Sequence, residues 1–288
     1  MRTILISMVG VCFALMNCMV LAQEGLSTYS HQVGSFELIL LAESQGQGNK
    51  GILIGATPEM LQEYAPNGTF SNAMNAFFVK TPDKNMLIDA GLGRKLVENL
   101  QSLNVAPEQV DIILITHMHG DHIGGLLRDG KVMFPQAEIY LPQPEYDYWM
   151  SDEKFKQQQE VIAAYKNKLH LFKPNELNKQ STPLLPGFTA YAAYGHTPGH
   201  TAFLLESDNE KMFVWGDVTH AMALQMPYPQ VAVTYDVNPD DAIAARKQVL
   251  EYVNKHNIPI AGMHIAFPAM GTISKGKAGG YLFTPFTK

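Results

Sequence analysis

Residues 116–122 read Thr116-His117-Met118-His119-Gly120-Asp121-His122. Three imidazoles and a carboxylate fall in six residues, directly after the apolar run Asp111–Thr116. A short continuous apolar run of this kind predicts a buried strand. Residues just past the C-terminal end of such a strand lie in the crevice where α/β folds place ligands. Gly120 permits a tight turn there. His117 and His119, two apart, can point together from extended backbone, while Asp121 and His122 turn toward a neighbouring position. Neutral imidazole and carboxylate are the ligands zinc takes when thiolate is absent.

The same arrangement recurs outward along the chain. His196, in Gly195-His196-Thr197-Pro198-Gly199-His200, follows a predicted strand over Gly187–Ala193. Asp217 follows a predicted strand over Met212–Trp215, and His264 one over Ile258–Met263. Any one of these alone reads as a turn residue or cap. Together with the 117–122 set they make seven ligands, enough for two metals with three unshared ligands each and one bridging carboxylate.

The rest of the chain reads as alternating strands and helices. Further strands are predicted over Phe36–Leu41, Gly51–Gly55, Ala76–Lys80, Met86–Asp89, Glu138–Leu141 and Thr201–Glu206. Helices are predicted over Arg94–Leu103, Pro144–Lys168 and Pro239–Lys255, the last with Ile243, Val249, Leu250 and Val253 as its apolar face. No repeat or low-complexity linker interrupts them, so the expectation is one mixed α/β domain of two packed halves over residues 23–288. The chain has 288 residues, 46% hydrophobic and 17% charged, which fits a globular protein. Its formal charge of −6 argues against nucleic acid as a partner. Met1–Ala22 reads as a secretory signal peptide, with Arg2 as the positive region and small residues Val20 and Ala22 before a cut at Gln23. Both cysteines, Cys12 and Cys18, lie in it, so the mature chain would offer no thiolate. The expected location is periplasmic or secreted, with no membrane association after cleavage.

The seven ligands match the pattern of the metallo-β-lactamase fold superfamily, which the chain resembles from about Val33 to its C-terminus. Asp89, in Ile88-Asp89-Ala90-Gly91, matches that family's earlier aspartate motif. Thr116–Leu126 (THMHGDHIGGL), Val132–Pro135 (VMFP), Gly195–Thr201 (GHTPGHT), His264–Pro268 (HIAFP) and Gly279–Pro285 (GGYLFTP) resemble the methyl parathion hydrolase and lactonase-like branch. The resemblance implies an αββα sandwich with its site along one sheet edge. It implies that His117, His119 and His196 hold one divalent metal, that Asp121, His122 and His264 hold a second, and that Asp217 bridges them. Zinc is the expected metal, although the same ligands accept manganese, cobalt or iron. Two such ions can share a hydroxide as nucleophile, so the chain needs no serine or cysteine for hydrolysis. His200 and Asp89 read as residues that orient ligands, and His31, His170 and His256 as surface histidines.

The implied activity is opening of lactones or related esters, with acyl-homoserine lactones, aryl esters and phosphotriesters as candidate substrates. A β-lactamase is the alternative. A glyoxalase II, an iron-dependent sulfur dioxygenase and a metal-binding module without turnover are further readings. Asp121 would orient the nucleophile or accept a proton. His220 is a candidate proton donor, or a rim histidine without that duty. Trp149 corresponds to a pocket tryptophan of the branch, with Phe155, Leu224, Phe267 and Met226 as further substrate contacts. Tyr146, Tyr148, Trp149 and Phe155 could equally be core. Two departures stand out. Ala42-Glu43-Ser44 stands where the family often has Asp-Gly, and His220 stands where methyl parathion hydrolase has an apolar residue. The expected partner is a small-molecule substrate, and a homodimer is compatible with the chain.

Overall fold

The computed structural model describes residues 28–276 and 279–287. The signal peptide expected over Met1–Ala22 lies outside them. Seven strands, neighbours in chain order, form one sheet: Thr28–Val33, Phe36–Asn49, Thr69–Lys80, Asn85–Ile88, Ile112–Leu114, Glu138–Pro142 and Leu169–Phe172. The first four pair antiparallel and the remaining pairings are parallel. Six more form a second sheet: Phe188–Ala192, Thr201–Ser207, Glu210–Val214, Ile260–Ala261, Met270–Lys275 and Tyr281–Pro285. Its one parallel pairing joins 210–214 to 260–261. Parallel neighbours need a crossover. The helices Leu96–Ser102, Gln143–Trp149, Lys156–Tyr165 and Pro239–Lys255 lie in those crossovers.

Period-two alternation decides the layers. Leu38, Leu40, Phe77, Val79, Met86, Ile88 and Leu114 share a core with Phe188, Phe203, Leu205 and Val214 of the second sheet. Phe36 stacks on Phe188 across that interface at 5.5 Å. The intervening residues Ile39, Leu41, Phe78, Leu87 and Ile113 pack instead on Leu96, Leu100, Val161 and Tyr165 of the helices. On the far side, Phe213 meets Tyr191 and Tyr252 of helix Pro239–Lys255. The order is helix, sheet, sheet, helix, the αββα sandwich. Each buried Leu, Ile, Val or Phe contributes about 1.5–3 kcal/mol relative to leaving it in water.

Several elements differ from the sequence expectation: the strand expected over Ala76–Lys80 starts at Thr69, and the strands Thr28–Val33, Leu169–Phe172, Met270–Lys275 and Tyr281–Pro285 have no counterpart in it. The helix predicted over Pro144–Lys168 is two helices. Asp152 accepts from the Lys154 amide and its carbonyl from the Gln159 side chain, and such local bonds compete with the helical ladder. The strand predicted to end at Leu41 runs on to Asn49, paired through Asn49↔Thr69. Its outer part, Ser44–Asn49, is polar and carries no apolar alternation, so periodicity could not find it. The Phe70 ring lies over Gly48, where a Cβ would come within 2.3 Å of it. The strand predicted over Gly51–Gly55 is a 3-10 turn, Lys50–Ile52, followed by the two-residue strand Leu53–Ile54 paired with Ala232–Val233.

Candidate metal centre

The donors gather where strand ends of both sheets meet. Ile112–Leu114 delivers His117 and His119, and His119 caps a single helical turn, Gly120–Ile123, that turns Asp121 and His122 inward. Asp217 follows Glu210–Val214 through Gly216, whose φ is +60° and whose Cβ would come within 2.6 Å of His200 Nε2. His264 follows Ile260–Ala261.

Two donor groups result. His117 Nε2 lies 3.0 Å from His119 Nδ1, which lies 2.9 Å from His196 Nε2. Asp217 Oδ2 is 3.6 Å from His117 Nε2 and 3.4 Å from His196 Nε2. In the second group His264 Nε2 is 3.4 Å and His122 Nε2 3.8 Å from Asp121 Oδ2. Asp217 touches this group too, Oδ2 to His264 Nε2 at 3.0 Å and Oδ1 to His122 Nε2 at 3.2 Å. The seven residues can hold two ions around one shared carboxylate.

Hydrogen bonds behind the rings show that these atoms fit a metal. His122 Nδ1 bonds Asp89 Oδ2 at 2.7 Å, His196 Nδ1 bonds Asp236 Oδ1 at 2.9 Å, and His264 Nδ1 bonds the Ala73 carbonyl at 2.8 Å. His117 Nδ1 is 3.1 Å from Thr116 Oγ1, whose own proton goes to Asp89. Carboxylate and carbonyl oxygens only accept, so Nδ1 carries the proton and Nε2 presents a lone pair inward. Lone pairs then face one another and face Asp217 across about 3 Å. His122 Nε2 and Asp217 Oδ1 are buried without any hydrogen-bond partner. A buried polar atom without a partner is costly, and a cation between them satisfies both. The residues therefore fit a divalent metal held through histidine and aspartate.

The electrostatics follow from burial set against this carboxylate. Burial lowers His117 well below the ordinary histidine value, and lowers His119 and His200 to about 3, each with a neighbouring histidine adding to it. For His196 burial also pulls down, but Asp217 and Asp236 outweigh it and raise the ring to about 9, so that without a metal Nε2 holds a proton toward Asp217 in the place a cation would take. For Asp217 burial pushes up, but the surrounding histidines hold it well below the usual carboxylate range.

His220 differs from the ligand histidines. Its Nε2 lies 3.1 Å from Asp217 Oδ2, its ring stacks on His264 at 4.6 Å, and its buried Nδ1 has no acceptor. Nothing behind the ring forces the lone pair inward, which leaves Nε2 free to carry a proton toward Asp217. His200 accepts from the Asp217 amide and donates to the Ala193 carbonyl, so it positions Asp217. His170 and His256 are exposed, whereas His31 is half-buried and stacked on Phe286 at 4.3 Å.

Above the donors opens a cavity of about 840 Å³. Its walls are Gln47, Gly48 and Asn49 of the extended hairpin, Ile52, Met74 and Leu92, and Gln157 and Tyr235, with His119, Asp121, Asp217, His220 and His264 below. The expected contacts Trp149, Phe155, Leu224 and Phe267, and the weaker candidate Met226, are not in this lining. Trp149 is 6% exposed and donates its indole N–H to Glu145, standing edge-on behind His119 at 5.6 Å. Phe155 packs on Trp149 at 4.6 Å. Leu224 is buried against Phe70, Ala221 and Val231, and Met226 in the main core. Phe267 meets Tyr29 at 6.0 Å. The polar hairpin supplies the wall that aromatic side chains were expected to form.

Four residues to which the sequence reading gave no role hold the site together. Asp236 fixes His196, as above. Glu145, fully buried, accepts from Met118 N, Gly199 N and Thr197 Oγ1 as well as Trp149, joining the two histidine loops. Glu43 accepts from the amides of Leu92, Gly93, Lys95 and Leu96. The β-bulge at Ala42/Ser44 turns it inward, so this departure from the family pattern pins the loop after Asp89. Arg246 is the fourth, buried under the Asp217 loop. Isolated acidic or basic residues in polar stretches carry no spacing signal, so their partners appear only when the chain is folded.

An αββα sandwich whose strand ends converge seven histidine and aspartate donors is that of a metal-dependent hydrolase. The sequence profile of the metallo-beta-lactamase superfamily matches residues 73–257, and the chain belongs to that superfamily. Among solved structures it is similar to the hydrolase AbOPH of the beta lactamase superfamily, with a TM-score of 0.81 and 26% identity over 91% of this chain and 98% of that one. It is also similar to AidC, a dizinc quorum-quenching lactonase, with a TM-score of 0.78 and 25% identity over 91% and 98%. Exodeoxyribonuclease WalJ of Streptococcus pneumoniae is 49% identical over 53 residues, 18% of this chain and only 20% of that enzyme's length.

Proposed function

We propose that this protein is a secreted or periplasmic dizinc hydrolase that opens uncharged lactones or related esters bearing an apolar acyl or aryl group. The observation that carries the reading is the cavity over the metal donors. Carboxamides (Gln47, Asn49, Gln157) and apolar side chains (Ile52, Met74, Leu92) line it, and among the described residues no lysine or arginine does. A neutral ester fits such walls. The β-lactam alternative is less well supported by the same fact, because the carboxylate of a β-lactam antibiotic would find no lysine or arginine in the described walls and would have only the metal centre to receive it. Likeness to the dizinc quorum-quenching lactonase AidC supports both the metal and the substrate class.

Bound divalent ions would supply Lewis acidity for the ester oxygen and lower the proton affinity of water at the site. The chain's own residues do the rest. Asp121, with a side chain 24% exposed, faces the cavity beside His264. Burial raises its carboxyl, but His122 and His264 outweigh that and hold it below the usual range. It therefore stays ionised at neutral pH and can accept a proton at Oδ2. Burial lowers the His220 ring to about 4, so at neutral pH it carries one proton, which at Nε2 is donated to Asp217 and orients that carboxylate. The proton that Asp121 accepts is the one available to the leaving alkoxide. Met74, Ile52 and Leu92 exclude water from the apolar part of the substrate.

The test is hydrolysis of a long-chain acyl-homoserine lactone by the purified mature protein, with bound metal quantified on the same sample. Ring opening with about two zinc ions per chain supports the reading. Two ions without ring opening discards lactones and moves the substrate to aryl esters or phosphotriesters; turnover of a β-lactam in preference to all of these overturns it. N-terminal sequencing of periplasmic protein beginning at Gln23 would support the location.

A further inference from the structure

Arg246 is the largest polar side chain in the interior, 1% exposed. It rises from helix Pro239–Lys255, and all its hydrogen bonds go to backbone carbonyls. Nε donates to Val218 O at 2.7 Å, and Nη1 to Pro229 O at 3.0 Å and Val231 O at 2.7 Å. No carboxylate lies within ion-pair distance of it among the described residues. Burial lowers the guanidinium to about 10, so it remains charged at neutral pH. A buried charge without a paired carboxylate is expensive, and its retention here coincides with what the three carbonyls belong to.

Val218 is the residue after Asp217, and His220 comes two later. Val231 opens the short stretch that ends at Asp236, the acceptor behind His196. Arg246 thus ties together the two ends of one loop, residues 217–236. The loop carries the bridging carboxylate, the cavity histidine His220 and the residue that sets the tautomer of His196. Gln225, fully buried, ties the same loop from inside: Oε1 accepts from His220 N at 2.7 Å and Ala221 N at 3.0 Å, and Nε2 donates to Val231 O at 3.0 Å. His196, His200, Asp217 and Arg246 also line one small internal cavity, so the guanidinium lies directly behind the donor set.

We infer that Arg246, assisted by Gln225, is a positioning residue for the metal centre, holding Asp217 and the Asp236–His196 pair in one rigid arrangement. Lysine cannot replace it, because a single ammonium does not reach three divergent carbonyls.

The experiment compares wild type, Arg246→Met, Arg246→Lys and Gln225→Met as purified, folded proteins. Zinc affinity is read by chelator competition, and ligand-field geometry by the absorption spectrum of the cobalt(II)-loaded protein. Arg246→Met is expected to bind zinc about 10–100-fold more weakly, with an altered cobalt spectrum in protein that still melts cooperatively. Arg246→Lys should show the same altered spectrum, since it restores the charge without the geometry. If Arg246→Met does not fold, Gln225→Met reads the same two quantities on the same loop without touching a buried charge. Wild-type zinc affinity and cobalt spectrum in the folded arginine variants, or in Gln225→Met where those do not fold, overturn the inference, whatever happens to melting temperature. These readouts do not depend on which ester is hydrolysed.

Discussion

Single hydrogen bonds decide what each histidine of the centre can do. His117, His122, His196 and His264 each have Nδ1 tied to an acceptor, so each turns Nε2 inward, where a cation can replace a proton; His220 has no acceptor at Nδ1, and its neutral ring faces Asp217 through Nε2. Trp149 is best understood the same way. Its indole N–H is one of four donors to the buried Glu145 carboxylate, whose carboxyl is pushed up by burial against those bonds. We expect Trp149→Phe to lower stability by about 1–3 kcal/mol, read as a shift in urea midpoint, because it leaves a buried carboxylate short of a donor. Metal content and KM for a small ester should be unchanged. A raised KM with unchanged stability would return Trp149 to the substrate pocket.

Among the elements, the first strand is held at its outer side by His31 stacked on Phe286, beside Glu210. Burial lowers this imidazole below its ordinary 6.5, with Glu210 pulling the other way. The folded state therefore prefers the neutral ring. Stability from this group is present above the unfolded pKa of 6.5 and is lost as pH falls through the lower folded value. His31→Phe should remove that dependence. The melting temperature of wild type relative to the variant should fall between about pH 7.5 and 5. A difference that stays flat would mean the ring is not buried enough to matter.

At the scale of the molecule, the centre joins both sheets: His117, His119 and His122 come from one, and Asp217 and His264 from the other. Metal bound there crosslinks the two halves of the sandwich, and binding to the folded state alone adds stability. Stripping metal with a chelator should lower the melting temperature, since the donors would then lose the cation that joins the two sheets. Adding zinc back should restore it together with activity. An apo-protein that melts at the holo temperature would show that the sheets need no crosslink.

How much of this was legible depends on the signal each residue carries. The seven donors were readable because each follows an apolar run, and a run of buried strand residues announces where its end will lie. Helix Pro239–Lys255 was readable to its limits because a proline start and an apolar face at helical spacing agree. The chain by itself determined the donor set and the layered fold. Tertiary structure alone decided which groups stand behind the donors and what lines the cavity. Glu43, Glu145, Asp236 and Arg246 act through partners dozens of residues away, and the Ser44–Asn49 arm is held by its neighbouring strand rather than by its own pattern. Periodicity records burial along one segment; contacts between polar groups distant in the chain exist only once packing has removed the water between them.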